Sequence, residues 1–338
     1  MVSEKTLAII ITICITSVVT AAVMQIARSN AVLQHPLTAV PRASTEELSY
    51  DPRFYDANTD ASVTDDGVPS VKPSLQTTKP TQPRRLTSGI PGLTALAFIA
   101  GNVETGEIYT EFNSKRALPV ASMSKLVTAF VATDMMPKDA SIEISSSSVM
   151  APPDRSNLQA GEKYQLSEIL YPMLLDSSNV AAEAISSSTG DRPKFMEMMR
   201  SYAWEIGMPD SYFADPSGVS SRNVATGRDL FALSRYLMQF RPDILKLTLT
   251  ASTSVATTTD HGAHQFSNIH PFVHDPRFIG GKTGRTPEAG ETMMTIMSIN
   301  GKKVAVVVLA SLNRANDTKI LFDKVESMIL PSLQSSSQ

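Results

Sequence analysis

Ser122 and Lys125 stand three residues apart in Pro119-Val120-Ala121-Ser122-Met123-Ser124-Lys125-Leu126, where a loop gives way to a helix. Residues three apart on a helix share a face, so the two side chains meet. A serine at a helix N-terminus has unpaired backbone N–H groups and the positive end of the helix dipole beside it. A lysine held against it in a dry pocket can give up its proton and act as a base. Together they outline an activated nucleophile. The same four residues also fit a plain serine cap followed by a first-turn lysine, so the remainder of the chain must decide.

Two further clusters could face such a pair. Asp176-Ser177-Ser178-Asn179 is a polar joint between apolar runs, where side chains can line a cleft or simply cap a helix. Lys282-Thr283-Gly284-Arg285 follows Gly280-Gly281, and glycines there let a substrate backbone lie close along a strand. Four of the five histidines fall between His261 and His274, but no acidic residue at ligand-like spacing accompanies them, so no metal site is expected.

Several elements must position these groups. Met123, Leu126, Val127, Phe130 and Val131 recur with helical spacing, which predicts a helix buried along one side. Upstream, 94–103 and 107–112 read as two strands joined at Glu104-Thr105-Gly106, a β-hairpin. A serine-rich stretch broken by Pro152-Pro153 and Ala160-Gly161 leads to a helix marked by Leu166, Ile169, Leu170, Met173 and Leu174. A second helix continues through Ala181, Ala182 and Ala184. Asp215-Pro216-Ser217-Gly218 reads as a turn and 226–238 as an amphipathic helix. Strands at 292–299 and 303–311 flank Asn300-Gly301, a strong hairpin turn, and a helix over 318–329 closes the fold. Hairpin, helices, strands and terminal helix together predict an α+β domain, an antiparallel sheet flanked by helices with a helical subdomain.

The N-terminal part is different. Residues 7–24 are almost unbroken apolar sequence with no charge between Lys5 and Arg28, long enough to span a bilayer. Residues 1–28 are read as a membrane anchor in preference to a cleaved signal, and the chain beyond them as extracytoplasmic. Pro36, Pro41, Pro52, Pro69, Pro73, Pro80 and Pro83 punctuate a Ser/Thr-rich stretch over 29–88 without periodicity, the composition of a spacer. The folded domain is placed at 89–333, with a polar tail at 334–338. A net charge of −3 without Lys/Arg runs gives no support to nucleic-acid binding. The single cysteine, Cys14, excludes an intrachain disulfide and a cysteine-held metal.

Ser-x-x-Lys, Ser-x-Asn and Lys-Thr-Gly, in that order, resemble the set carried by serine β-lactamases and penicillin-binding proteins. Their flanks are most similar to the D-alanyl-D-alanine carboxypeptidases of serine peptidase family S11. The matching residues are Pro119 and Ala121 before Ser122, Leu174-Leu175 before Ser177, and Gly281 before Lys282 with Thr286 and Ala289-Gly290 after it. The resemblance implies a β-lactamase/transpeptidase-like fold and removal of the terminal D-alanine from peptidoglycan stem peptides, with β-lactams as covalent inhibitors and no cofactor. It implies Ser122 as nucleophile, Lys125 as base with its proton affinity lowered by burial and by Lys282, and Ser177 as proton relay. Asn179, Lys282, Thr283, Gly284 and Arg285 would hold the substrate, and the N–H groups of Ser122 and Arg285 would form the oxyanion hole.

Some positions depart from that pattern. Val180 replaces a frequent Asp, Arg285 follows the Lys-Thr-Gly, and Asn268-Ile269-His270 stands for an Asn-x-Asn whose middle position is arginine in some members. Arg285 is therefore the candidate replacement for the substrate carboxylate. An endopeptidase of the same family remains the main alternative, and a non-catalytic wall-binding protein a third. Without a Glu-x-x-Leu-Asn segment, rapid β-lactam hydrolysis is not expected. No oligomeric state is implied.

Overall fold

The computed structural model describes residues 89–151 and 154–335. The expected anchor and spacer over 1–88 lie outside them. Among the described residues no helix is long and apolar enough to cross a membrane.

The predicted hairpin forms from β1 (Ala97–Asn102) and β2 (Ile108–Phe112), followed by the short β3 (Leu118–Pro119). A single 3₁₀ turn, Ala121–Met123, then feeds α1 (Ser124–Met135). The helical layer continues after β4 (Ser141–Glu143) and β5 (Lys163–Gln165) with α2 (Leu166–Leu174), α3 (Asn179–Ser188) and α4 (Arg192–Glu205). Beyond β6 (Val224–Ala225) come α5 (Gly227–Phe240) and α6 (Pro242–Leu249). The chain returns through the hairpin β7 (Ser252–Val255) and β8 (His264–Ser267) to three long strands. These are β9 (Phe278–Thr286), β10 (Gly290–Ile299) and β11 (Lys302–Ser311), and α7 (Arg314–Ser335) ends the fold.

The main sheet is antiparallel with strand order β2-β1-β11-β10-β9. Alternation along β11 sends Val304, Val306 and Val308 to a cluster with Leu321, Phe322 and Val325 of α7. Ala305, Val307 and Leu309 point the other way, into the larger core shared with the helical layer. A sheet covered on both faces needs apolar residues at every position, which is why β10 and β11 read as near-continuous apolar runs. Asn300 and Gly301 both have positive φ, 50° and 79°, the backbone that a two-residue hairpin turn demands.

Two expectations need correction. The helix after Ser122 is not buried on one side only: every residue from Ser124 to Ala132 is buried, because α2, α3, α4 and α6 all pack around α1. Its apolar spacing recorded the core but not its extent, since buried Ser124, Lys125 and Thr128 fill the remaining faces. The terminal helix spans Arg314–Ser335, longer at both ends than the expected 318–329.

Candidate active site

The 3₁₀ turn bearing Ser122 is wedged between sheet and helices. Ala121 holds φ of 49°, a strained value for alanine, directly before the serine. The turn is pressed on both sides by glycines. A Cβ on Gly284 of β9 would stand 2.6 Å from Thr292 Oγ1 and 2.8 Å from Val120 O. A Cβ on Gly218 would collide with the Ala121 carbonyl and with Ser124 Oγ. Thr292 Oγ1 donates to Val120 O at 3.0 Å, tying the turn to the sheet.

Lys125 is fully buried, and its ammonium group has three partners. Nζ lies 2.9 Å from Ser122 Oγ, 2.7 Å from Asn179 Oδ1 and 2.5 Å from the backbone carbonyl of Ser217. Burial pushes its pKa down to about 7, while the carboxylates of Asp215, Asp154 and Glu183 pull it partly back up. A neutral amine has two N–H groups and one lone pair. With Asn179 and Ser217 accepting the two N–H groups, the lone pair is left for the Ser122 hydroxyl. Burial depresses Lys125, and repulsion between it and the buried Lys282 disfavours the charged form of the pair.

Lys282 forms the second half of the site. It is 1% exposed, and its Nζ donates to Ser177 Oγ at 2.9 Å and to Thr283 O at 3.1 Å. Burial, Lys125 and Arg314 drive its pKa well below the ordinary lysine value. Ser177 has φ of 65°, and this kink at the α2–α3 joint turns its hydroxyl toward Lys282. Ser177 thus meets Lys282, while Asn179, the first residue of α3, meets Lys125. Thr283 and Gly284 are buried on the same strand, β9. Arg285 sits at its end with its side chain 76% exposed, 3.9 Å from Glu291. A second arginine that the sequence did not single out, Arg314, donates from Nη1 to Gly284 O at 2.8 Å.

Other residues missed at the sequence level hold the loops. Asp154 accepts from Ser178 Oγ at 2.6 Å and from Val180 N at 2.7 Å, splinting the Ser-x-Asn joint from a remote segment. Burial alone would raise its pKa, but bonds from Ser156, Ser178 and Val180 outweigh burial and hold it down. Asp215 accepts from the N–H groups of Ser217, Gly218, Val219 and Ser220, so what reads as a turn is the mount for the Ser217 carbonyl. Both signals, Pro-Pro-Asp and Asp-Pro-Ser-Gly, are visible as turn chemistry without revealing what they support.

The hydrogen bonds of His261, His264 and His270 run to partners other than Lys125 and Lys282. His264 Nε2 is 2.9 Å from Glu162 Oε1, a carboxylate 102 residues upstream in the sequence. His261 stacks on Tyr164 with centroids 4.3 Å apart. In the Asn268-Ile269-His270 segment, Asn268 Nδ2 donates to the carbonyls of Thr248 and Thr250, and buried His270 contacts Thr295 Oγ1. Among the described residues no group of three or more His, Cys, Asp or Glu is arranged to hold a metal ion.

A solved D-alanyl-D-alanine carboxypeptidase of Mycobacterium tuberculosis superposes with a TM-score of 0.66 at 22% identity, over 70% of this chain and 93% of that one. A D-alanyl-D-alanine endopeptidase of Pseudomonas aeruginosa is 30% identical over 61% of this chain and 67% of its own length. A D-alanyl-D-alanine carboxypeptidase of M. tuberculosis is 24% identical over 66% of this chain and 77% of its own. The sequence profile of the D-alanyl-D-alanine carboxypeptidases, peptidase family S11, matches residues 84–313. The chain belongs to that family of serine peptidases.

Proposed function

We propose that the protein is a serine-type D-Ala-D-Ala carboxypeptidase that trims the terminal D-alanine from peptidoglycan stem peptides through an acyl-enzyme on Ser122. The observation that carries this is the buried Lys125 amine, 2.9 Å from Ser122 Oγ with its other polar contacts on Asn179 and Ser217 O. Neutral Lys125 takes the Ser122 proton as Oγ attacks the carbonyl of the penultimate D-alanine. The negative oxygen that forms is held by the backbone N–H groups of Ser122 and Arg285, each such donor contributing about 3–4 kcal/mol where one has been removed. The proton reaches the leaving D-alanine nitrogen through Ser177, whose hydroxyl Lys282 orients. The C–N bond breaks, free D-alanine departs, and water then hydrolyses the ester.

Asn179 holds Lys125, and Lys282, Thr283 and Gly284 run beside the substrate on β9. The carboxylate of the leaving residue falls to Lys282, Thr283 and the Arg285 side chain, which stands exposed at the end of the strand. The substrate places the enzyme outside the cytoplasm. We further propose that residues 1–28 anchor it and 29–88 space the catalytic domain from the membrane.

One observation favours a second reading, cleavage of cross-links instead of free ends: a relative that is 30% identical is named an endopeptidase. Incubation with a pentapeptide and, separately, with a cross-linked muropeptide dimer decides between them. Free D-alanine from the pentapeptide, at a rate well above dimer cleavage, is the expected result. Dimer cleavage without D-alanine release would establish the endopeptidase.

A further inference from the structure

Three carboxylates act on Lys125, and each has hydrogen-bond partners of its own. Asp154 is taken up by Ser156, Ser178 and Val180. One Asp215 oxygen accepts from Ser217, Gly218 and Val219, and the other from Ser220. Glu183 is different. It lies four residues after Asn179 on α3, hence on the same face of that helix. Its Oε2 is gripped by Arg192 through Nε at 3.1 Å and Nη2 at 3.0 Å. Its Oε1 faces Ser217 Oγ at 3.5 Å, and the carbonyl of that same Ser217 holds Lys125 Nζ.

Behind this contact lies an open cavity of about 500 Å³, lined among others by Ser147, Met150, Glu183, Arg192, Ser217 and Ser220. None of its walls is Ser122, Lys125, Ser177 or the Lys-Thr-Gly strand. A single residue, Ser217, therefore separates the buried amine from a solvent-open chamber with Glu183 in its wall.

We propose that Glu183 is a positioning residue for the catalytic base: its carboxylate, acting through Ser217, sets the charge state of the Lys125 amine from the rear of the site. The arrangement opposes burial. A fixed negative charge behind the amine keeps its proton affinity near neutrality, where it can both take a proton from Ser122 and give it up again. Arg192 restrains this effect by pairing with Glu183, and burial with neighbouring Asp215 pushes the Glu183 pKa upward against it. The other charges around Lys125 are Asp215 and Asp154 on the anionic side and Lys282 on the cationic side. Glu183 and Asp215 both line the cavity, but Asp215 also holds four backbone N–H groups of its own loop, so the charge of Glu183 can be altered with less damage to the loops.

This inference rests on the acyl-enzyme reading, and its test presupposes that the wild-type chain is acylated. The rate of acylation of the full-length chain by a fluorescent penicillin is followed from pH 5.5 to 9. Variants Glu183→Gln, Glu183→Met and Glu183→Asp are run beside the wild type, with thermal melts to confirm folding. Removing the negative charge lowers the acid limb by about half a pH unit, an electrostatic effect of ordinary size for a partly buried charge. The rate at pH 6, taken relative to each protein's own alkaline plateau, then rises about threefold in both neutral variants. Glu183→Asp retains the charge and returns the ratio toward wild type. An unmoved acid limb with only a lower plateau would overturn the proposal, and so would unfolding of both neutral variants, since either makes Glu183 merely structural. Failure of the wild type to acylate would instead sink the proposed function.

Discussion

At pH 8 the Lys125 amine is mostly neutral, because burial brings its pKa down to about 7. Acylation by benzylpenicillin should therefore rise through pH 7 and level off above pH 8, since the neutral amine is the active form. A rate flat from pH 5.5 to 9 would show that Lys125 is not the base. Stability carries the opposite face of the same linkage. Between pH 7 and 10.5 the unfolded chain binds the Lys125 proton and the folded chain does not, so the cost of burying this lysine fades as pH rises across that window. Lys125→Met should raise the melting temperature most below pH 7 and least near pH 10, in melts at pH 6 and 9.5. A gain that grew with pH would contradict the assignment. At this scale the sequence spoke through residue type: Ser122, Lys125, Ser177, Asn179 and Lys282 could be picked out by motif. Asp154 and Asp215 could not, because each reaches the site from a remote segment with ordinary turn chemistry, nor could Glu183, a helix glutamate whose partner Ser217 lies on a distant turn.

The elements deliver these residues by close approach. β9 runs against the Ser122 turn so tightly that Gly284 admits no side chain. Gly284→Ala should cost about 1–3 kcal/mol of stability by overpacking and slow acylation disproportionately, as the turn must shift. Thermal melts and penicillin-binding rates check this, and a fully active, stable variant would contradict it. The splint from Asp154 predicts a different pattern. Asp154→Ala removes bonds to Ser178 and Val180, each hydrogen bond to a charged group being worth about 1.5–3 kcal/mol. The Ser-x-Asn joint should loosen, lowering both melting temperature and acylation rate, with a fall in rate alone counting against a splint. Strands β9, β10 and β11 were legible because glycines, continuous apolar runs and Asn-Gly mark them. Helices α4 and α6 went unnoticed: α4 mixes Phe195, Met196 and Met199 with many charges, and α6 is only eight residues long.

Over the whole molecule, the helical layer and the sheet meet at the Ser122 turn, and two lysines are buried where they do. Such an arrangement is costly for stability, since each lysine is taken out of water and they repel one another. His270 adds to it, its pKa driven to about 3 by burial. Stability of the wild type should consequently climb from acid pH toward about pH 10, as the unfolded chain holds protons that the folded chain has shed. The antiparallel α+β layout was readable from element order alone, whereas the burial of α1 on every face from Ser124 to Ala132 was not, because Lys125 and Thr128 look like a polar face until their partners are known.

The most direct test is the intact mass of the full-length chain after benzylpenicillin, with Ser122→Ala beside it. A single penicilloyl adduct on the wild type and none on the variant is the predicted result. An adduct that persists on Ser122→Ala, or none on the wild type with the drug left intact, would contradict the assignment of Ser122 as the nucleophile.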